Sequence, residues 1–261
     1  MTGTAGRERL KREAEFHDKT FGEETRRQAD KFYAVTTASK NFYRAFLRDH
    51  CEGRAILEYG CGPHSHGTIL LPRGARLVAG IDISHVAAVL HHEISLKRDL
   101  PSLHSCVMNA ESLAFNASSF GVICGTGILH HLDLESSFRE IARVLTADGK
   151  AIFIEPLGHN PVINLYRNRT PEMRSADEHP LLMSDLDLAR RFFGRVDVHY
   201  FHLSSLGAVL FHRMRWFASL VTLLDGFDRL LFRCLPFLRK HAWAAVLVLS
   251  EPRESPLPAA R

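Results

Sequence analysis

At 261 residues with 46% hydrophobic content, the chain can bury one full α/β core with decorations, since single cores rarely grow beyond about 250 to 300 residues. The 33 Lys and Arg stand against 29 Asp and Glu, a formal charge of +4 with basic residues scattered among acidic ones, so charge makes no case for a nucleic-acid partner. Five cysteines, none in a CxxC pair, point to reduced thiols, and the opening MTGTAGRERLKREAEF is charged where an export signal needs an apolar stretch; a cytoplasmic location is expected.

Residues 7 to 50 carry aromatic side chains at helical spacing and predict two or three helices, an N-terminal helical cap over residues 1–50. The basic cluster Arg7 to Arg12 reads as a solvated helical face. From Arg54 to Pro156 the apolar runs AILEY, RLVAGID, SCVMNA, GVICG and AIFIEP alternate with helical or loop stretches, the pattern of a parallel sheet covered by helices on both faces. LESSFREIARVL places Phe138, Ile141, Ala142 and Leu145 on one stripe, with Asp148 and Gly149 supplying the stop. Beyond Pro156, Gly158, Pro161, Pro171 and Pro180 break the chain, and Arg167, Arg169 and Arg174 make it polar, as in a functional loop. RVDVHYFHL and AWAAVLVLSEP read as two further strands, so a main domain is expected over 51–261.

Between those two strands, residues 206–238 form an apolar helical insertion. LGAVLFHRMRWFASLVTLL is long enough to span a bilayer, but His212, Arg213 and Arg215 interrupt it, and each charge costs roughly 2.5 to 3.5 kcal/mol on insertion. An amphipathic segment is expected instead, serving as a roof over a substrate, a homodimer interface or a peripheral membrane contact.

Parallel sheets bind ligands beyond the carboxyl ends of their strands, so the loop after the first strand carries the first functional signal. It reads ILEYGCGPHSHG: Glu58 ends the strand, and Gly60 and Gly62, flanking Cys61, allow a tight turn and close backbone approach. A dinucleotide fingerprint requires glycine where Ser65 stands, which disfavours a nicotinamide cofactor. Asp82, beside Ile83, closes the second strand at the spacing from which a carboxylate takes both ribose hydroxyls of an adenosine. Asn109, Ala110 and Glu111 follow the third strand, where side-chain and backbone groups meet an adenine. Gly125 and Thr126 follow the fourth, so four loops converge on one ligand.

ILEYGCG, GIDIS, MNAESLAF, GILHHLDL and REIARVLTADGKAIFIEP, in this order over about residues 54 to 156, resemble the class I S-adenosylmethionine (SAM)-dependent methyltransferases of the bacterial group related to the ubiquinone and menaquinone biosynthesis methylases. The resemblance implies a Rossmann-like seven-stranded sheet with an antiparallel last strand, SAM as cofactor, and methyl transfer to a small organic acceptor. It carries SAM contacts to Gly60, Gly62, Asp82, Asn109, Ala110 and the Gly125–Thr126 turn, and it suggests Phe32 and Tyr33 as lid residues. Pro63 and His64 stand where relatives often have Thr-Gly, and Asn109 where they often have Asp.

Displacement at a sulfonium needs an aligned nucleophile and a base for its proton. His130 is the first choice for that base and His131 the second, with Glu155 and His159 in reserve. The rival to each is an ordinary packing or capping role. His64 and His66 near Cys61, and His91 with His92, lack the paired spacing of a zinc site, so no metal is expected. The competing functional classes are a SAM-binding protein with non-methylating chemistry on the same fold and a binding or peripheral-membrane role.

Overall fold

Each apolar run predicted as a strand forms one. The computed structural model describes residues 4–22, 34–171, 175 and 177–257. Their elements are α1 (Thr4–Gly22), α2 (Thr37–His50), β1 (Ala55–Tyr59), α3 (Gly67–Leu70), β2 (Leu77–Asp82), α4 (His85–Arg98), β3 (Leu103–Val107), β4 (Phe120–Thr126), α5 (Leu134–Val144) and β5 (Leu145–Pro156). There follow α6 (Pro161–Arg169), α7 (Met183–Ala189), β6 (Phe193–Phe201), α8 (Phe217–Cys234) and β7 (Ala244–Pro252). Phe32, Tyr33 and Arg174 lie outside the described residues.

The strands form one sheet of order β3-β2-β1-β4-β5-β7-β6. β1 pairs in parallel with both β2 and β4, and β7 runs antiparallel to both β5 and β6, which makes this a mostly parallel Rossmann-like sheet. Strand order reverses beside β1, between β2 and β4, and there the sheet opens a ligand crevice at its carboxyl edge.

Each face of the sheet carries its own apolar layer. On one, Phe138 and Ile141 of α5 and Leu186 of α7 cover Leu57, Ile123 and Phe153. On the other, Tyr43 and Leu47 of α2 cover Ile56, Val122 and Ile152. Among the described residues, the predicted N-terminal cap is two different things: α2 is a layer of the core, and α1 stands apart from it. The predicted helix through Leu145 stops at Val144, because Leu145 already pairs with Phe120 as β5 begins. The register then shifts so that Val122 meets Lys150, and Asp148–Gly149 lies in that irregularity instead of stopping the helix.

Candidate functional site

At the carboxyl edge of β1, β2 and β4 lies a cavity of about 500 Å3, within the range of roughly 300 to 1,000 Å3 usual for cofactor sites. Its wall includes Glu58, Gly60, Cys61, Gly62, Asp82, Ile83, Asn109, Ala110, Gly125 and Thr126. Of the cofactor contacts predicted from the sequence, only Glu111 is absent from that wall; Arg9 and the backbone N–H of Asp133 hold its carboxylate instead.

The glycine loop owes its shape to Glu58. This carboxylate, 3% exposed, accepts hydrogen bonds from Ser65 Oγ at 2.7 Å and from the His66 N–H, and it meets His91 Nε2 at 2.7 Å. Burial alone pushes its pKa up, but the hydrogen bond and charge of His91, with help from His66 and Ser65, hold it below the ordinary carboxylate value. His91 is itself fully buried, with Nδ1 2.6 Å from Ser105 Oγ. Its ring lies so close to Gly80 that a Cβ there would sit 2.7 Å from Cε1. Gly60 takes the left-handed φ of 70°, and a Cβ on it would meet Ile128 Cδ1 at 2.7 Å.

Asp82 serves the same loop and still faces the cavity. Its Oδ2 accepts from the Gly62 N–H at 2.9 Å and its Oδ1 from the Ser84 N–H at 2.9 Å. Each carboxylate oxygen accepts more than one hydrogen bond, so both retain a lone pair for a ligand hydroxyl. Asn109 Oδ1 accepts the Glu111 N–H at 2.9 Å, which makes its side chain part of the turn after β3. Burial pushes the Cys61 thiol far up, which keeps it neutral.

The two adjacent histidines part company. His131 lines the cavity, whereas His130 does not. His130 Nδ1 is 2.7 Å from Glu155 Oε2, and Glu155 Oε1 accepts the N–H groups of Ile128 and Leu129. Glu155, fully buried at the end of β5, thus caps the turn after β4 and fixes His130 as part of it. His159 lies away from the cavity too, with Nε2 accepting the Met183 N–H at 3.3 Å. Of His130, His131, Glu155 and His159, only His131 lines this cavity.

Sequence reasoning missed the cavity's roof. Arg9, Glu13, His17 and Phe21, spaced by four along one stripe of α1, all line the cavity, and that spacing was the available signal. Arg7, Lys11 and Arg12 are exposed, as expected of a solvated face, but Arg9 Nη1 donates to the His131 carbonyl at 2.9 Å and Arg12 makes a two-pronged pair with Asp177. Asp18 accepts from Ser84 Oγ at 2.5 Å and from the Val86 N–H at 3.2 Å, which ties α1 to the start of α4. Glu13 Oε2 lies 3.2 Å from His131 Nδ1 and 3.5 Å from His17 Nε2, without the alignment of a formed hydrogen bond. Contrary to the expected roof, no residue from 206 to 238 lines the cavity.

Glu13 is held far below the ordinary carboxylate value: burial opposes this, and the nearness of the His131 and His17 rings, with the hydrogen bond from Ser175, outweighs it. Burial lowers the pKa of His131, with Glu13 partly offsetting the effect. One ligand atom from each of Glu13, His17 and His131 lies within 4.8 Å of the others, close enough to share a cation, although no zinc spacing is legible in the sequence.

Residues 57–153 match the family described as a methyltransferase domain. The match takes in the glycine loop, Asp82, Asn109, the Gly125–Thr126 turn and both adjacent histidines. Solved structures share the fold. The phosphoethanolamine N-methyltransferase 2 of Haemonchus contortus, in complex with phosphomonomethylethanolamine and S-adenosylhomocysteine, matches 82% of this chain at 17% identity and a TM-score of 0.59. This chain covers 53% of that one, about half its length. The geranyl diphosphate C-methyltransferase of Streptomyces coelicolor A3(2), in complex with Mg2+, geranyl diphosphate and S-adenosylhomocysteine, matches 81% of this chain and 79% of its own at 14% identity and a TM-score of 0.56. The cyclase SpnF matches 80% of each chain at 17% identity and a TM-score of 0.52. At these identities the likeness is one of fold.

Replacing Glu58 by Ala should cost about 3 to 5 kcal/mol at neutral pH, since it leaves His91 and the loop donors buried without their acceptor. Because folding lowers the Glu58 pKa, its contribution is present above the ordinary value of 4.5 and is lost as pH falls through the folded value. Urea unfolding should therefore show the gap between parent and variant narrowing below that pH. Parallel pH profiles would remove Glu58 from this role.

Proposed function

We propose that the chain is a SAM-dependent methyltransferase acting on an O, N or C atom of a small, partly hydrophobic organic molecule, allied to the quinone-biosynthesis methylases its motifs resemble. The reading rests on one observation: Asp82 with the glycine loop, and His131 with Glu13, line a single cavity. Bound there, SAM would supply a methyl group on a positively charged sulfur, open to displacement.

Asp82 and the backbone of Gly60 and Gly62 would hold the nucleoside, through the spare lone pairs of the carboxylate and the close approach that glycine permits. Leu10, Phe21, Ile69, Met108 and Leu132 give the remaining wall its apolar character, which suits an acceptor with a hydrophobic part. His131 takes the acceptor's proton. Glu13 faces Nδ1, so Nε2 is left with the free lone pair, and the lowered pKa keeps the ring neutral near pH 7. Glu13 then stabilises the imidazolium that forms. The five cysteines are all unpaired, in keeping with a cytoplasmic enzyme. The cyclase among the fold neighbours favours a second reading, non-methylating chemistry in the same cavity, and mass analysis of product formed from methyl-labelled SAM separates the two.

Asp82→Ala should raise the SAM dissociation constant about tenfold or more, the equivalent of losing charge-assisted hydrogen bonds of roughly 1.5 to 3 kcal/mol. Calorimetric titration reads this directly, and unchanged affinity in a folded variant would displace the cofactor from this cavity.

His131→Ala should lower kcat by about 10² to 10⁴ with SAM affinity unchanged, whereas His130→Ala should chiefly lower the melting temperature. With the His131 pKa below its ordinary 6.5, the parent's rate should rise with pH only in the acid range and be level by neutral pH. Dialysis against EDTA should leave that rate unchanged. A loss restored by a divalent metal would instead make ligands of Glu13, His17 and His131.

A further inference from the structure

More than half of the large apolar side chains exposed among the described residues fall between positions 210 and 237. Leu210 is 83% exposed, Leu223 70% and Phe237 65%, with Trp216, Phe227 and Leu230 beside them in the exposed class. On α8, Leu223, Phe227 and Leu230 recur at four and three residues and so share one stripe. Val221, Asp228 and Phe232 lie on the opposite stripe and are buried. The inward side is fully engaged: Val221 packs with Ile163, Leu206 and Val209, and Asp228 accepts the N–H groups of Leu203, Ser204 and Ser205. The helix is thus held by one side while its other side offers apolar surface to water, an arrangement that marks an interaction surface.

The charges around this face have one sign. Arg213, Arg215, Arg229, Arg233 and Lys240 are exposed, while the two acidic residues of the segment, Asp225 and Asp228, turn inward with 12% and 2% exposure. By helical spacing, Arg229 and Arg233 lie together along one side of the apolar stripe of α8. Bringing two copies together through this face would set these cations against one another. An anionic bilayer answers both features, taking the apolar stripe at the acyl boundary and the arginines at its phosphates. No helix among the described residues is long and apolar enough to cross a membrane, so the contact lies in the surface plane.

We propose that residues 206–240 dock the protein on the surface of an anionic lipid bilayer. The segment joins β6 to β7. Because β7 is antiparallel to both β5 and β6, β6 ends at the same edge of the sheet as β1 and β4. Docking therefore brings the cavity end of the sheet toward the lipid, whatever reaction the cavity carries out.

Flotation of the full chain with vesicles of phosphatidylcholine, with and without phosphatidylglycerol, tests this without reference to activity. Binding is expected only with the anionic lipid, and should weaken about tenfold or more in Leu223→Glu/Leu230→Glu, in Arg213→Glu/Arg229→Glu, and in high salt. All four side chains are exposed, so thermal melts should match the parent. Absence of vesicle binding overturns the proposal. Full binding by the leucine variant overturns it as well, leaving charge adhesion alone. A parent that fails to bind vesicles and sediments as a dimer, while the leucine variant sediments as a monomer, makes the face an interface between copies.

Discussion

The carboxylate of Glu58 leaves water at the end of β1 and is received by His91, Ser65 and the His66 N–H. Much of the site's shape follows from that cluster. Through Ser65 and His66 it fastens the glycine loop; through His91 it fastens α4 over Gly80, and through Ser105 it reaches β3. A buried carboxylate is costly to desolvate, so the cluster holds only as a set, and its members come from β1, the loop, α4 and β3 together. The neighbouring Asp82 extends the same logic to the cavity wall, holding Gly62 and Ser84 while still presenting its oxygens to a ligand.

The roof over this cavity is built differently. The core is held by oily layers, but α1 is fixed mainly by polar and charged contacts: Arg9 to Glu111, Arg12 to Asp177, Glu13 to His131, and Asp18 at the start of α4. Such contacts are individually weak where water reaches them and stronger where it does not. A lid of this kind can seal a ligand in a dry cavity and still be separable from the sheet beneath it.

The sheet was legible in the sequence because each strand announced itself as an apolar run between turns, and the parallel order followed from the alternation with helices. Most of the cavity wall was legible too, since it is built from glycines and acids at strand ends. What escaped were contacts between residues far apart in the chain. Nothing local says that His91 belongs to Glu58, that Glu155 claims His130, or that Arg9 reaches Glu111. His130 and His131 are adjacent and chemically identical, and the turn capped by Glu155 decides which of them faces the cavity. The segment from 206 to 238 was correctly amphipathic, but its apolar stripe points outward, where periodicity alone cannot send it.

The order of contacts along the chain has a consequence for biosynthesis. Arg9 meets His131 across 122 positions and Arg12 meets Asp177 across 165, so α1, which precedes every strand of the sheet, finds its seat only after the strands up to β5 have been made. Contacts this distant form late, because closing long loops carries its entropy before any reward. The cavity is thus roofed by a segment made before any strand of the sheet, whose partners are all made after it.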